Sequence, residues 1–307
     1  YPENKAVQRL DRLWGSHNLR ELILRADSGW SSGSTFGSHD LTVETTLFSA
    51  PVFYHYRGFV ADYLRMGDFP EGDETWQRLG AGVEYQGRNL RGNAELTWNL
   101  SGGRKLGGRL GGDWQIDDNW SLPFSLEIFS RNTPLRAVKH GIRADEVSSG
   151  LVWRQNELRS AYLTLQALDF TDGNFRYGVA AGLAQRLVTR PHYLLTAYLD
   201  LASSGNSRTD VPYYSPDQDA ECSLTLENDW LLWRRYNRSF RHRLALSGGG
   251  YWQQDFGTSA VGGVRYEHLW ELFPRFSLLY GVSWRHAVYD GDGENRIGVH
   301  LELNWRF

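Results

Sequence analysis

The C-terminal stretch NRIGVHLELNWRF, residues 295–307, alternates without interruption: Ile297, Val299, Leu301, Leu303, Trp305 and Phe307 stand against Arg296, Gly298, His300, Glu302, Asn304 and Arg306. Period two is the signature of a strand whose two faces meet different surroundings, here one compatible with lipid and one with water. A final aromatic residue suits a membrane-interface girdle. A soluble sandwich can also end on an amphipathic strand, so the reading depends on whether the pattern recurs.

It recurs along the chain from about residue 18. Leu41, Val43, Thr45 and Leu47 oppose Thr42, Glu44 and Thr46, and Leu79, Ala81, Val83 and Tyr85 oppose Arg78, Gly80, Gly82, Glu84 and Gln86. Ala94, Leu96, Trp98 and Leu100 oppose Asn93, Glu95, Thr97 and Asn99, and the same contrast continues through Glu127, Glu221, Glu227, Glu267 and Glu302. A water-exposed sandwich face would carry more lysine and fewer large aromatics opposite it. The expected fold is therefore all-β: a transmembrane antiparallel β-barrel of the bacterial outer-membrane type, with about sixteen strands.

Composition agrees. Mean hydropathy is −0.51 and no apolar run reaches the length of about eighteen residues that a spanning helix needs. A barrel requires only half of each strand to be apolar, which 41% hydrophobic residues can supply. The aromatic content is 14%. Trp30, Trp76, Trp98, Trp252 and Trp284 are expected at one rim, and Trp114, Trp120, Trp153, Trp233, Trp270 and Trp305 at the other. A net charge of −3 implies no polyanionic partner, so nucleic-acid binding has no support. Cys222 is alone, which forbids an internal disulfide and a cysteine-rich metal site, and its parity puts it on the apolar face.

Residues 1–17 differ from the rest, with Val7, Leu10 and Trp14 at helical spacing; they read as a linker or short helix from a preceding periplasmic domain, and residues 18–307 as the barrel. The chain starts without an initiator methionine or a signal peptide, as a processed form or part of something longer would. Short turns are expected near 49–51, 88–90, 117–119, 155–157, 189–191, 235–238 and 272–274. Longer loops are expected near 31–39, 67–75, 101–104, 131–140, 171–174, 203–217, 253–258 and 290–295. Short periplasmic turns and long outer loops would place both termini in the periplasm. The loop 203–217, with Pro212, Tyr213, Tyr214 and Pro216, is expected to be the longest and to fold over the mouth as a partial lid. Pro123 lacks an amide hydrogen and a closed sheet has no edge, so a bulge is expected there.

Candidate catalytic motifs fail on context. Gly29-Trp30-Ser31-Ser32-Gly33 matches the serine-hydrolase elbow pattern, but no helix follows it. Asp290, Asp292 and Glu294 have the spacing of a calcium loop, but Asn295 replaces the turn glycine. The histidines lack metal-site spacing. An outer-membrane enzyme using His39 with Asp40, or His286 with Asp290, remains an alternative reading, as does a general diffusion porin. No cofactor and no metal are expected.

Three segments, RNTPLRAVKHGIRADEVSSGLVWRQNELRSAY (131–162), RTDVPYYSPDQD (208–219) and the ending GVHLELNWRF, resemble the membrane barrel of the poly-β-1,6-N-acetyl-D-glucosamine export porins, the PgaA family. The resemblance runs from about Asn18 to Phe307. It implies an outer-membrane porin rather than an enzyme. The implied cargo is a mostly acetylated glucosamine polymer bearing scattered free amines. Also implied are an upstream periplasmic helical-repeat domain and cooperation with a periplasmic polysaccharide deacetylase. By alternation, Glu44, Glu84, Glu95, Glu127, Glu221, Glu227, Glu267 and Glu302 face inward as candidate pore-lining and polymer-contact residues. Arg78, Arg109, Arg243, Arg265, Arg285 and Arg296 share that face, so counting alone does not make the lumen acidic.

Overall fold

A computed structural model describes residues 4–33, 35, 37–101, 105–272 and 275–307. Helix α1 (Lys5–His17), capped by the Asn4 side chain accepting from the Ala6 amide, precedes the strands. These are β1 (Glu21–Ser31), β2 (His39–Phe48), β3 (Tyr56–Phe69), β4 (Gly72–Gln86), β5 (Leu90–Asn99), β6 (Leu106–Gln115), β7 (Trp120–Ile128) and β8 (Ala144–Arg154). After them come β9 (Arg159–Phe170), β10 (Phe175–Arg190), β11 (Tyr193–Asn206), β12 (Gln218–Arg235), β13 (Arg238–Gln253), β14 (Gly257–Leu272), β15 (Phe276–Tyr289) and β16 (Asp292–Arg306). A short helix, α2 (Leu135–Lys139), lies between β7 and β8.

Each strand pairs antiparallel with its sequence neighbours, and β16 returns to β1 to close the barrel. The closing register runs from Glu21 opposite Arg306 to Ser31 opposite Arg296. Alternation then sorts the residues. Leu96, Ile128 and Ile297 point outward at 74%, 63% and 59% exposure, whereas inward Arg78 and Thr97 are each 1% exposed. Glycine makes room for inward side chains at two places. A Cβ at Gly182 would lie 2.2 Å from the Tyr162 ring, which crosses β10 to bond Asp200, and one at Gly80 would lie 2.0 Å from a Glu95 carboxylate oxygen.

The strands are longer than expected at the end opposite the termini. There β3 and β4 join through residues 70–71, and β15 and β16 through 290–291, where loops were expected over 67–75 and 290–295. In the β3–β4 hairpin the inward residues pack on protein: Phe69 and Trp76 form a buried cluster with Phe129, Leu135 and Val138. Trp76 is therefore no girdle residue. It is 2% exposed, stacks on Phe129 at 5.1 Å and donates to Asn99 at 2.7 Å. The expected turn at 272–274 and loop at 101–104 fall largely outside the described residues, as do residues 1–3, Ser34 and Phe36.

Two further expectations change. Residues 129–143, carrying α2, form the longer connection; 207–217 is shorter because β11 continues to Asn206. Pro123 causes no bulge. Its ladder with β6 is continuous, and the β7–β8 ladder skips Leu122 and Pro123 without a register change. The missing amide is tolerated as a gap. Register shifts occur instead near Leu187 and Leu232, toward the rim that carries the termini.

The two tryptophan environments differ in a measurable way. Trp76→Ala, which empties a packed inward site, should lower unfolding stability in vesicles by about 3–5 kcal/mol. Trp98→Ala, on the lipid side, should cost clearly less in the same urea titration. Equal losses would contradict the inward placement of Trp76.

Candidate functional site

The lumen wall is a set of ionic layers built by alternation across neighbouring strands. At the terminal rim, Glu21 accepts from Arg57 at 2.6 Å, Asn304 at 2.9 Å and Arg306 at 3.1 Å, and Arg57 also donates to Glu84 at 2.8 Å. Higher up, Asp229 holds Arg241 and Arg243 at 2.8 and 3.2 Å. Arg265 joins Glu227 at 3.5 Å to Glu267 at 2.9 Å, and Glu267 also meets His300 at 3.0 Å. Arg296 bridges Asp27 and Asp40.

All eight candidate glutamates have inward parity, but their surroundings divide them. Glu127 is buried and accepts from Arg78 at 2.9 Å and Arg131 at 3.2 Å. Glu302 meets Arg25 at 3.4 Å, and Glu221 meets Arg285 at 3.9 Å. Glu95 accepts from the Tyr63 hydroxyl at 3.4 Å, and its second oxygen is buried without a partner among the described residues. Glu44 has no hydrogen bond or ion pair among the described residues and lines a cavity of about 310 Å³ with Tyr63, Arg65 and Arg131. Asp27, Asp40 and Asp229 complete the same layers; their parity on β1, β2 and β12 was the available signal.

The opposite rim is covered. Residues 129–143 fold inward, with Arg78 donating to the Phe129 carbonyl at 2.9 Å and Arg65 to the Arg131 and Thr133 carbonyls at 3.0 and 3.1 Å. Glu146 accepts from Ser130 and Asn132. Helix α2 places Leu135 and Val138 on the Trp76 cluster and Ala137 on a second cluster with Ala144, Leu168, Phe170 and Tyr213. Its outer side is tied to the β3–β4 hairpin by an Arg136–Glu71 ion pair and by Lys139 donating to the Gly72 and Asp73 carbonyls.

Residues 207–217 come in from across the barrel. Tyr213 is 4% exposed, stacks on Phe170 and donates to Asp172, and burial pushes its pKa up to about 12. The Tyr214 hydroxyl meets Tyr251 at 2.6 Å, and its carbonyl accepts from Arg176. Arg136 and Pro212 line one cavity of about 440 Å³ with Gln253 and Asp290, so the two segments meet over the mouth. The segment 129–143 contributes α2 to this cover, where a longer loop over 131–140 was expected. Its signal was the apolar spacing of Leu135, Ala137 and Val138.

Charge is unevenly distributed along the axis. Asp172, Asp217, Asp255, Asp292 and Glu294 lie toward the covered rim, beside Arg136, Lys139, Arg143 and Arg208. Arg9, Arg12, Arg234, Arg238, Arg241 and Arg306 surround a cavity of about 720 Å³ at the terminal rim, where Glu271 is the acid in the lining.

The catalytic candidates are not assembled. His39 stacks on Trp30 on the outer face, while adjacent Asp40 points inward to Arg296. His286 meets Asn295 and Asp290 meets Gln253. Gly29, Trp30 and Ser31 lie within β1, where the hydrolase pattern needs a strained elbow. Asp290 and Glu294 engage different partners, Glu294 accepting from Thr35. Cys222 is exposed on the outer face.

The family described as the PgaA membrane beta barrel domain matches residues 16–307. The poly-beta-1,6-N-acetyl-D-glucosamine export proteins of Escherichia coli strain K12 and of Escherichia coli O157:H7 are each 30% identical to this chain over 308 residues. The alignment covers 100% of this chain and 38% of either relative. A solved bacterial polysaccharide outer membrane secretin superposes with a TM-score of 0.90 at 29% identity, covering 95% of this chain and 99% of that one. The chain belongs to the PgaA membrane beta barrel domain family and is an outer-membrane barrel.

Deleting residues 132–141 should open the covered rim and raise single-channel conductance in planar bilayers by about an order of magnitude, as a filled lumen becomes an aqueous one. Unchanged conductance would mean the segment does not block the path. The outer tether should also respond to acid. The Arg136 hydrogen bond holds Glu71 below its ordinary value of 4.5, so the contact is intact above 4.5 and is lost as pH falls through the lowered value. Brief opening events should therefore become more frequent below pH 4.5, and Glu71→Gln should remove that dependence.

Proposed function

We propose that this barrel is the outer-membrane conduit through which a mostly N-acetylated β-1,6-glucosamine polymer with scattered free amines leaves the periplasm. The observation that carries this reading is the uneven axial distribution of charge along a wall of paired, hydrogen-bonding side chains. Guanidinium groups at the terminal rim can donate to acetamide carbonyls and sugar hydroxyls. Carboxylates at the covered rim then attract the occasional ammonium group, because low-dielectric walls focus the field of like charges. Contacts along such a wall are numerous and individually weak, as transit requires. The role is transport and not catalysis, and the covered mouth disfavours general diffusion of small solutes.

In this reading both termini are periplasmic and the covered rim faces outward. Helix α1 exposes Val7, Leu10 and Trp14, at 46%, 67% and 52%, an unfilled apolar side that suits the tail of an upstream helical-repeat domain. The chain spans 38% of the length of the relatives it matches, which leaves room for such a domain. A periplasmic deacetylase would supply the free amines. Among the eight glutamates, Glu44 is the one we assign to polymer contact; Glu95 is buried against Tyr63, and the other six serve first to hold the wall.

Two measurements separate these roles. Asp255→Asn, Asp292→Asn and Glu44→Gln together should lower cation selectivity and cut secretion of partly deacetylated polymer by about two- to tenfold, with assembly unchanged. Wild-type selectivity and secretion would remove the electrostatic mechanism. Glu127→Gln should instead destabilise the barrel by about 3–5 kcal/mol, because it leaves the buried Arg78 without its counter-charge. A urea titration that shows no loss would mean the pair is not structural.

A further inference from the structure

Outward-facing strand positions should be apolar over the bilayer, yet four polar side chains meet on the outer wall of β13, β14 and β15. The Tyr266 hydroxyl lies 2.7 Å from His242 Nδ1 and 3.2 Å from His268 Nε2, and His268 Nδ1 lies 3.0 Å from the Tyr280 hydroxyl. The two imidazoles stack at 4.4 Å. One layer nearer the terminal rim, Phe240 stacks on Trp270 at 4.1 Å, the kind of aromatic pair that marks an interface. The polar group thus sits at the depth where lipid esters and phosphates meet the hydrocarbon.

Its proton inventory leaves one donor over. Two neutral imidazoles and two hydroxyls carry four protons, and the chain contains three hydrogen bonds. If Tyr280 donates to His268, His268 to Tyr266 and Tyr266 to His242, then His242 Nε2–H is left. If the chain runs the other way, the Tyr280 hydroxyl is left. Neither donor has a further acceptor among the described residues, and an unmade hydrogen bond at the edge of the hydrocarbon is costly. The missing partner is an acceptor arriving from the membrane side.

Beside this group an apolar groove of about 420 Å³ crosses the closing seam from β14 to β2. Tyr266 and Tyr280 form its polar end, and Val282, Val299, Leu301 and Leu41 its apolar walls. Ala26 and Ser28 on β1 keep it open where larger residues would fill it. A polar end needing an acceptor, continuous with an apolar groove, is complementary to an amphiphile.

We infer that this outer face is a binding site for one glycerophospholipid, whose phosphate or ester oxygen accepts from the His242–Tyr266–His268–Tyr280 chain and whose acyl chain lies in the groove over the β1–β16 seam. The site is separate from the lumen and does not depend on what passes through it.

The test is native mass spectrometry of the purified barrel released from nanodiscs of phosphatidylethanolamine and phosphatidylglycerol. The unmodified chain should retain one phospholipid under detergent washing. His242→Phe with His268→Phe should lower the retained fraction by about five- to tenfold, the loss expected for a hydrogen bond in an apolar setting. Ala26→Phe should do the same by filling the groove while leaving the polar chain intact. Leu126→Phe, outward but far round the barrel, should retain lipid normally. Heat-modifiable electrophoretic mobility reports the fold of each variant. Equal retention by all variants, no retained lipid, or a second barrel copy in place of lipid would overturn the assignment.

Discussion

The structure depends on the pairing of β1 with β16. Inside a bilayer no water can satisfy a free backbone amide or carbonyl, so an open sheet edge would leave a row of costly unpaired groups. Closure removes the edge. It also fixes everything within, because a closed sixteen-strand sheet encloses more space than short side chains can fill. The chain meets that excess partly with long charged residues in layers and partly with the segment 129–143. Register makes the layers possible. Glu21 stands opposite Arg306, and Arg25 opposite Glu302, only if the first and last strands meet in this alignment; a one-residue slip would turn these charges toward lipid.

The wall and its cover share residues. Arg78 joins Glu127 in the wall, donates to the Phe129 carbonyl at the start of the cover and lies within 5.4 Å of the Trp76 ring on which α2 packs. An arginine this buried is tolerable only because carboxylate, carbonyl and ring face surround it. The first part of 129–143 is therefore continuous with the barrel rather than a loop laid over it. Tyr213 plays a similar part for 207–217, packing on the cluster that receives Ala137 and so joining the two segments through one small core.

Strand number, closure and the sorting of faces were legible in the sequence because alternation is a local signal that lipid enforces in every strand. Strand ends were less legible at the covered rim. There Phe69 and Trp76 are held by packing from 129–143, a contact between distant parts of the chain that period two does not encode. Trp76 shows the limit: its parity with Arg78 already pointed inward, but its position near a strand end suggested a girdle. Pro123 shows another, since a ladder can omit two pairs without shifting register. Parity places all eight glutamates on the inward face, yet only register across several strands reveals that Glu84 and Glu127 are paired with arginine while Glu44, among the described residues, is not.

The contacts of 129–143 are unequal, and the inequality has a direction. Its first residues are fixed by hydrogen bonds from Arg65 and Arg78 within the buried wall, where breaking one leaves a desolvated charge behind. The far side of α2 is held by Arg136–Glu71 and by Lys139 on two carbonyls at the exposed hairpin tip, where water can replace each partner at little cost. A force applied from inside the lumen therefore meets its weakest resistance at the outer edge of α2, next to the acids of the covered rim. A polymer bearing ammonium groups would bring its positive charge to that place, where it competes with Arg136 and Lys139 for the same oxygens. Under the proposed function, attraction of cargo and release of the cover would draw on one set of groups.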